Sequence, residues 1–289
     1  LGSQNALYLL TRLLLSSTTR IGVENPCFRE AINTFLLADA EVVPHPVDEE
    51  GIVLNERPCD YYYVTPGHQV PTGVTMSSAR RRQLLEHAAR HDAVIIEDDY
   101  DSESNFTLNP LPALKASDRS GRVVYVSSLS KALSPGLRLG FMVADPDLID
   151  EARALRRLVY RHPPTNIQYQ MAHFLAQGHY ETHLRRYHYD SAQRWERLHA
   201  ALQRYLPSCR ALAGSEHANA FWLQTPAQIN TQQLTWRAAH AGVLIEPGAR
   251  HFLSAAPPDN YFRMGFHAIN PDAIAQGVEV LRGQLEQMG

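Results

Sequence analysis

Lysine is rare in this chain: among 27 basic residues only Lys115 and Lys131 are lysines. Arginine serves nearly everywhere else, so Lys131 points to a task that a guanidinium does not perform. An amine can shed its proton and attack a carbonyl to form an imine, and burial would lower its pKa and expose that nucleophilic form. Lys131 closes the run Val123-Val124-Tyr125-Val126-Ser127-Ser128-Leu129-Ser130, an apolar β-branched stretch that ends in hydroxyls. Ser128 and Ser130 can donate to a phosphate, and Arg138 can grip one through two parallel hydrogen bonds. A second polar cluster, Asp98-Asp99-Tyr100-Asp101, follows another apolar run. Asp98 could keep a ring nitrogen protonated, and Tyr100 could hydrogen-bond a phenolic oxygen. Near the start, Gly2-Ser3-Gln4 precedes an apolar-periodic helix, whose backbone N–H groups and serine hydroxyl make an anion cradle. A phosphate, a ring nitrogen, a phenolate and an aldehyde together describe pyridoxal 5′-phosphate. Taken singly, Asp98 is equally readable as a turn cap and Arg138 as the partner of a carboxylate; the conjunction singles out the cofactor.

These groups need a frame that brings two distant stretches to one rim. The patterning predicts helices over 7–15, 28–37 and 77–91, the last capped by Ser77 or Ser78. It predicts strands over 20–24, 61–65, 93–97 and 123–127, with 41–47 extended and marked as an edge by Pro44 and Pro46. Strands alternating with helices or long crossovers indicate an α/β domain with a mainly parallel sheet. In such sheets ligands sit beyond the carboxyl ends of strands, where both polar clusters fall. Helical patterns follow over 146–160, 165–176 and 179–205. A smaller α+β lobe is expected over 209–289, with strands near 218–224, 243–246 and 261–266 and helices near 231–241 and 271–287. The division expected is a large domain over 1–177 and a small C-terminal domain over 178–289.

With 289 residues, 44% hydrophobic and 20% charged, the chain can bury a large core and is neither disordered nor fibrous. No apolar run approaches the roughly 20 residues of a membrane span, and the sequence carries no recognisable secretory signal. The three cysteines, Cys27, Cys59 and Cys209, are odd in number and widely spaced, unlike a disulfide framework or a zinc site, which suits a reducing cytoplasm. A formal net charge of −3 makes the chain as a whole no electrostatic match for nucleic acid. The sequence opens on Leu1 and is expected to be a fragment of a longer protein.

The chain resembles the aminotransferase-like domain of MocR-type regulators of the GntR superfamily, which share the fold-type I aminotransferase architecture. The matching stretches are Glu97-Asp98-Asp99-Tyr100-Asp101-Ser102-Glu103, Pro110-Leu111-Pro112-Ala113-Leu114 and Ser128 through Gly140. His68-Gln69 before Pro71-Thr72-Gly73, Pro247-Gly248 and Tyr261-Phe262-Arg263-Met264-Gly265-Phe266 match as well. The resemblance implies Lys131 as the amine that holds the cofactor aldehyde and as the catalytic residue, should the chain be an enzyme. It implies Asp98 at the pyridine nitrogen, Tyr100 at the phenolic oxygen, and Arg138, Ser128, Ser130, Ser3 and Gln4 around the phosphate. Phe28 matches the aromatic that stacks on the ring, and Arg263 the arginine that clamps the carboxylate of an amino acid or amine effector. Val70 stands where these regulators often carry phenylalanine and many aminotransferases asparagine, so His68 or Gln69 is expected to substitute in part. Ser104-Asn105 replaces the usual Phe-Arg. The resemblance further implies a homodimer, no membrane contact, and DNA binding only through an upstream winged-helix domain. The alternative implied is a pyridoxal-phosphate-dependent aminotransferase; a proline is usual before the tyrosine in aminoadipate-type enzymes, and Asp99 stands there.

Overall fold

A computed structural model describes residues 2–55, 57–104, 111–129, 131–212 and 220–288. Ser130, Asn105 and Pro110, named above, and the first two positions of the strand expected near 218–224 lie outside the described residues. The first lobe is built on helix α1 (Ser3–Leu14), strand β1 (Arg20–Asn25), helix α2 (Arg29–Leu36) and strands β2 (Glu41–Asp48), β3 (Gly51–Ile52) and β4 (Tyr61–Val64). It continues through α3 (Ser78–His91), β5 (Val94–Asp99), α4 (Leu114–Ser117), β6 (Val123–Ser128) and β7 (Gly140–Val143). The strands form one sheet in the order β3-β2-β1-β4-β5-β6-β7. Strands β2, β1, β4, β5 and β6 run parallel, and β7 returns antiparallel to β6. The architecture is that of a fold-type I aminotransferase.

Apolar cover lies on both faces, as a parallel sheet requires. On one face Leu7 and Leu10 of α1 and Ile32 and Phe35 of α2 pack on Ile21, Val23, Ile96 and Val126. On the other, Leu84 and Ala88 of α3 and Leu114 of α4 pack on Tyr62, Val64, Ile95 and Val123. Ser77 caps α3, its hydroxyl accepting from the Arg80 N–H. Strand β2 borders the sheet at Pro44 and Pro46, and the two-residue β3 pairs only with its last residues, Val47 and Asp48.

The chain then turns helical through α5 (Pro146–Tyr160), α6 (Thr165–Ala176) and the long α7 (His179–Tyr205). A second sheet follows from β8 (Arg210–Ala211), β9 (Ala220–Gln224), β10 (Glu246–Pro247) and β11 (Tyr261–Gly265), with helices α8 (Thr231–His240) and α9 (Ile274–Glu286). Its order is β10-β11-β9-β8, and Leu198 and Leu202 of α7 join Phe221, Phe262, Leu234 and Leu281 in its core.

Two sets of contacts fix the lobes to each other. The Cys27 N–H donates to the His251 carbonyl at 2.9 Å, and His251 Nδ1 returns a bond to the Cys27 carbonyl at 3.0 Å. On the opposite side, α7 reaches into the first lobe. His183 Nε2 donates to the Ala132 carbonyl and His188 Nε2 to the Glu103 carbonyl, each at 2.7 Å. One helix thus steadies the chain beside Lys131 and the chain beyond Asp101.

Candidate functional site

Strand β5 runs to Asp99, so Asp98 is its penultimate residue rather than the first residue past it; Ser128 likewise ends β6. Because β5 and β6 are parallel neighbours, both polar ends emerge at one rim. Helix α1 starts at the same rim and begins earlier than its apolar period suggested, so Ser3 and Gln4 form its first turn. Close packing holds it there. A Cβ on Gly140 would fall 2.9 Å from Gly2 C and Ser3 N and 2.7 Å from Ser127 O, so only hydrogen fits. Arg138 adopts φ 49 and ψ 38, a left-handed conformation uncommon outside glycine. The guanidinium ends beside Gly2, where an added Cβ would lie 3.3 Å from Nη2.

The result is a cleft of about 720 Å³ lined by Ser3, Gln4, Phe28, Tyr100, Ser128 and Arg138, with Asp98 and Lys131 at its floor. Arg263 reaches it from β11 of the second lobe. Helix α1 has no side-chain cap and no acidic residue in its first turn, so its N-terminal N–H groups and positive dipole end face the cleft beside Arg138. The Gln4 amide is engaged elsewhere, donating to Thr34 Oγ1 at 3.2 Å.

Asp98 is 3% exposed. Tyr63 donates to its Oδ2 at 2.8 Å, while Oδ1 is buried without a hydrogen-bond partner. Burial pushes this carboxyl up to about 7, with the Asp99 charge adding and the Tyr63 hydrogen bond and the Lys131 charge opposing. A buried acceptor short of one donor is the complement of a protonated ring nitrogen. Lys131 Nζ lies 2.8 Å from Asp101 Oδ1 and 4.5 Å from the centre of the Tyr100 ring. Desolvation lowers its pKa below the ordinary lysine value, against the pull of Asp101 and with help from the Arg263 charge. Burial alone would raise Asp101; the Lys131 and His68 charges instead hold it well below the usual carboxylate range.

Of the residues expected at the cofactor, Ser3, Gln4, Phe28, Asp98, Tyr100, Ser128, Lys131 and Arg138 share this cleft with Arg263. His68 does not line it. Its Nδ1 sits 3.0 Å from Asp101 Oδ2, so His68 stands behind Asp101 as a support. Nor is Gln69 on the wall: its amide donates to the Pro26 and Val70 carbonyls at 2.7 Å, and its oxygen accepts from Thr72 Oγ1 at 2.6 Å. Val70 itself lines the cleft. Sequence reading missed Asp101 as the partner of Lys131, Tyr63 as the donor to Asp98, and the charged group Glu30, Glu246, Arg250 and His251 at the mouth. Asp101 was within reach, as the fourth member of a polar run. The others meet only through the fold.

Buried acids give the cofactor-free chain a defined pH response. Glu24, like Asp98, is pushed up to about 7, chiefly by burial. Unfolded, these groups titrate near 4.5 and 3.8. Between those values and about 7 the folded chain therefore holds more protons than the unfolded one, so stability falls as pH rises through the window. His45 and His87, lowered from 6.5 by burial, act with the opposite sign within the window but are outnumbered, since Glu97 and Glu103 are raised to about 7 as well; Lys131, lowered from 10.5, opposes on the alkaline side. Thermal unfolding is expected to show a higher midpoint at pH about 5 than at about 7; a midpoint that rises over that interval would contradict the burial of these carboxyls.

A parallel sheet with a lysine, an aspartate and an arginine at its carboxyl rim, closed over by a second lobe that brings another arginine, defines a fold-type I aminotransferase-like domain. The chain belongs to the aminotransferase class I and II family, whose model matches residues 1–281. It is 37% identical over 282 residues to the HTH-type transcriptional regulator TauR of Rhodobacter capsulatus, covering 96% of this chain and 58% of that protein. It is 34% identical over 285 residues to the probable rhizopine catabolism regulatory protein MocR of Rhizobium meliloti, covering 97% and 57%. It is thus similar to the aminotransferase-like part of MocR-type regulators, and spans under three-fifths of the length of these two. Among solved structures, the α-aminoadipate aminotransferase LysN of Thermus thermophilus, complexed with N-(5′-phosphopyridoxyl)-L-leucine, superposes with a TM-score of 0.92 at 27% identity, covering 99% of this chain and 76% of that one. Pyridoxal 5′-phosphate is the cofactor that this fold takes, and the donor set fits it: an orphaned carboxylate oxygen, an uncapped helix start beside an arginine, and an amine, all lining one cleft.

Proposed function

We propose that this chain is the effector-sensing part of a MocR-type transcriptional regulator, holding pyridoxal 5′-phosphate at Lys131 and receiving an amino compound there. When bound, the cofactor supplies an aldehyde that condenses with amines and a ring that draws electrons from them. Asp98 would keep the ring nitrogen protonated, with Tyr63 holding the carboxylate in place. Arg138, Ser128 and the first turn of α1 would hold the phosphate, and Phe28 would lie against the ring. Tyr100 would meet the phenolic oxygen, and Arg263 the anionic end of the incoming compound.

The observation that carries the reading is the division of labour between the lobes. Lys131, just past β6, and Asp98, within β5, come from the first lobe and Arg263 from the second, so one small molecule contacting both favours a particular lobe arrangement. A ligand shifts a conformational equilibrium only by its differential affinity for the two states, and a bridging ligand supplies that difference. In the whole regulator the shift would pass to an upstream winged-helix domain that carries DNA binding. Phe141 and Val143 of β7 and Leu158 and Val159 of α5 expose apolar side chains that support association with a second copy. The free thiols of Cys27, Cys59 and Cys209 are in keeping with a cytoplasmic setting, and no helix among the described residues is long and apolar enough to cross a membrane.

The likeness to an aminotransferase favours a second reading, in which Lys131 moves a proton at the substrate α-carbon. The test is a visible-absorption titration of the cofactor-loaded chain with D- and L-amino acids. A saturable spectral change specific to one compound, without accumulating pyridoxamine phosphate, supports sensing. Conversion of the bound cofactor to pyridoxamine phosphate with release of one oxo acid per site, turning over when a second oxo acid is added, supports the enzyme, and no change with any compound contradicts both.

A further inference from the structure

Glu246 stands directly across the sheet from Arg263, the two being register partners of β10 and β11. Opposed residues of an antiparallel pair project from the same face, so the register itself brings a carboxylate to the arginine. Glu246 Oε2 lies 3.4 Å from Arg263 Nη1. The other oxygen, Oε1, faces His251 Nε2 at 3.4 Å and Arg250 Nη1 at 3.6 Å. Arg250 reaches across to Glu30 of α2 at 3.3 Å. All of these groups line the cleft that holds Lys131. The strand has little room to shift, because a Cβ on Gly248 would fall 2.6 Å from Tyr261 Cβ and 2.7 Å from the Trp222 ring.

We infer that Glu246 is a resident carboxylate competing for Arg263, and that it determines which amino compounds the cleft accepts. The inference rests on the proposed role of Arg263 as the receiver of the ligand's anion. A ligand carboxylate or sulfonate reaching that guanidinium must displace Oε2. Glu246 can yield without being stranded, since Oε1 keeps Arg250; a carboxylate removed from all its partners would resist the move. Selection by charge follows. An amine without an anionic group leaves the Glu246–Arg263 pair intact and gains nothing from the arginine. An amine whose anion meets Arg263 through two parallel bonds displaces a single longer contact and is preferred. Arg250 ties the same carboxylate to α2, so the exchange is felt at the contact between the lobes.

The test compares the cofactor-loaded chain with its Glu246→Gln variant, which keeps the size of the side chain and gives up its charge. Three probes separate the contributions: propanoate, an anion without an amine; propylamine, an amine without an anion; and 3-aminopropanoate, which has both. Propanoate binding, read by calorimetry, is expected to tighten about tenfold in the variant. The ratio of 3-aminopropanoate to propylamine affinity, read from the visible band, is expected to rise by a similar factor. Unchanged or weaker propanoate binding would overturn the inference, because Glu246 would then be orienting Arg263 rather than competing for it. Should neither amine alter the band in either chain, the cofactor reading fails, while the propanoate comparison still decides the role of Glu246.

Discussion

A chain carrying Lys131→Ala is expected to lose covalent retention of pyridoxal 5′-phosphate, its hold on the cofactor falling by two orders of magnitude or more, about 3 kcal/mol. Phosphate and ring contacts would remain, but they are exchangeable, and dialysis would strip the visible band. The substitution also leaves Asp101, which is buried, with His68 Nδ1 at 3.0 Å as its remaining side-chain partner. Removing one partner of a buried pair costs about 3–5 kcal/mol. Here the Lys131 side chain is 31% exposed to the cleft, so solvent screening reduces the expected loss to about 1–2 kcal/mol. Lys131→Arg separates the two effects, because a guanidinium keeps the charge beside Asp101 but forms no imine. The arginine variant should match the parent more closely than the alanine variant in urea unfolding and fail equally to retain the cofactor. A Lys131→Ala chain that keeps the same visible band after borohydride and dialysis would refute the assignment.

Asp98→Asn carries the second large effect. The amide fits the same space, but it supplies no negative charge to a protonated ring nitrogen. A hydrogen bond to a charged partner contributes about 1.5–3 kcal/mol, so cofactor affinity should fall about 10- to 100-fold. Cofactor-free, the same substitution should act in the opposite direction. The parent buries a carboxyl whose ionisation is raised to about 7, and the amide has no ionisation to suppress. Near pH about 7.5 the variant should therefore unfold at a higher temperature than the cofactor-free parent, and its pH slope should be shallower, with Glu24, Glu97 and Glu103 supplying what remains. Equal cofactor affinity in the two chains, measured by equilibrium dialysis, would remove Asp98 from the ring nitrogen.

Much of the site was legible because its members sit on contiguous motifs at strand ends. An apolar run ending in Asp98 and another ending in Ser128, each β-branched and continuous, announce buried parallel strands whose polar tips must share a rim. What pairing decides was not legible. Tyr63 and Asp98 meet because β4 and β5 are parallel neighbours, and no pattern in either strand names the other. Glu246 meets Arg263 through a two-residue strand, whereas the apolar run 243–246 suggested a longer strand ending there. Pairing begins only at Glu246, and Leu244 is 84% exposed. Arg138 follows the short helical turn Pro135–Leu137, and its left-handed backbone turns the guanidinium back to α1, which no pattern in the sequence announces. His68 or Gln69 was expected to substitute in part for the side chain that Val70 replaces, but each is bound to partners away from the cleft: His68 to Asp101, Gln69 to the chain around Pro26 and Thr72.

Because the chain contains two lysines, reductive trapping tests the central claim with a single alternative. Lys115 is tied to Asp118 at 3.2 Å and does not line the cleft. The chain loaded with pyridoxal 5′-phosphate, reduced with borohydride and mapped by peptide mass, should carry one phosphopyridoxyl group on Lys131 and none on Lys115. A label on Lys115, or an unlabelled Lys131 under saturating cofactor, would contradict the assignment of the cleft.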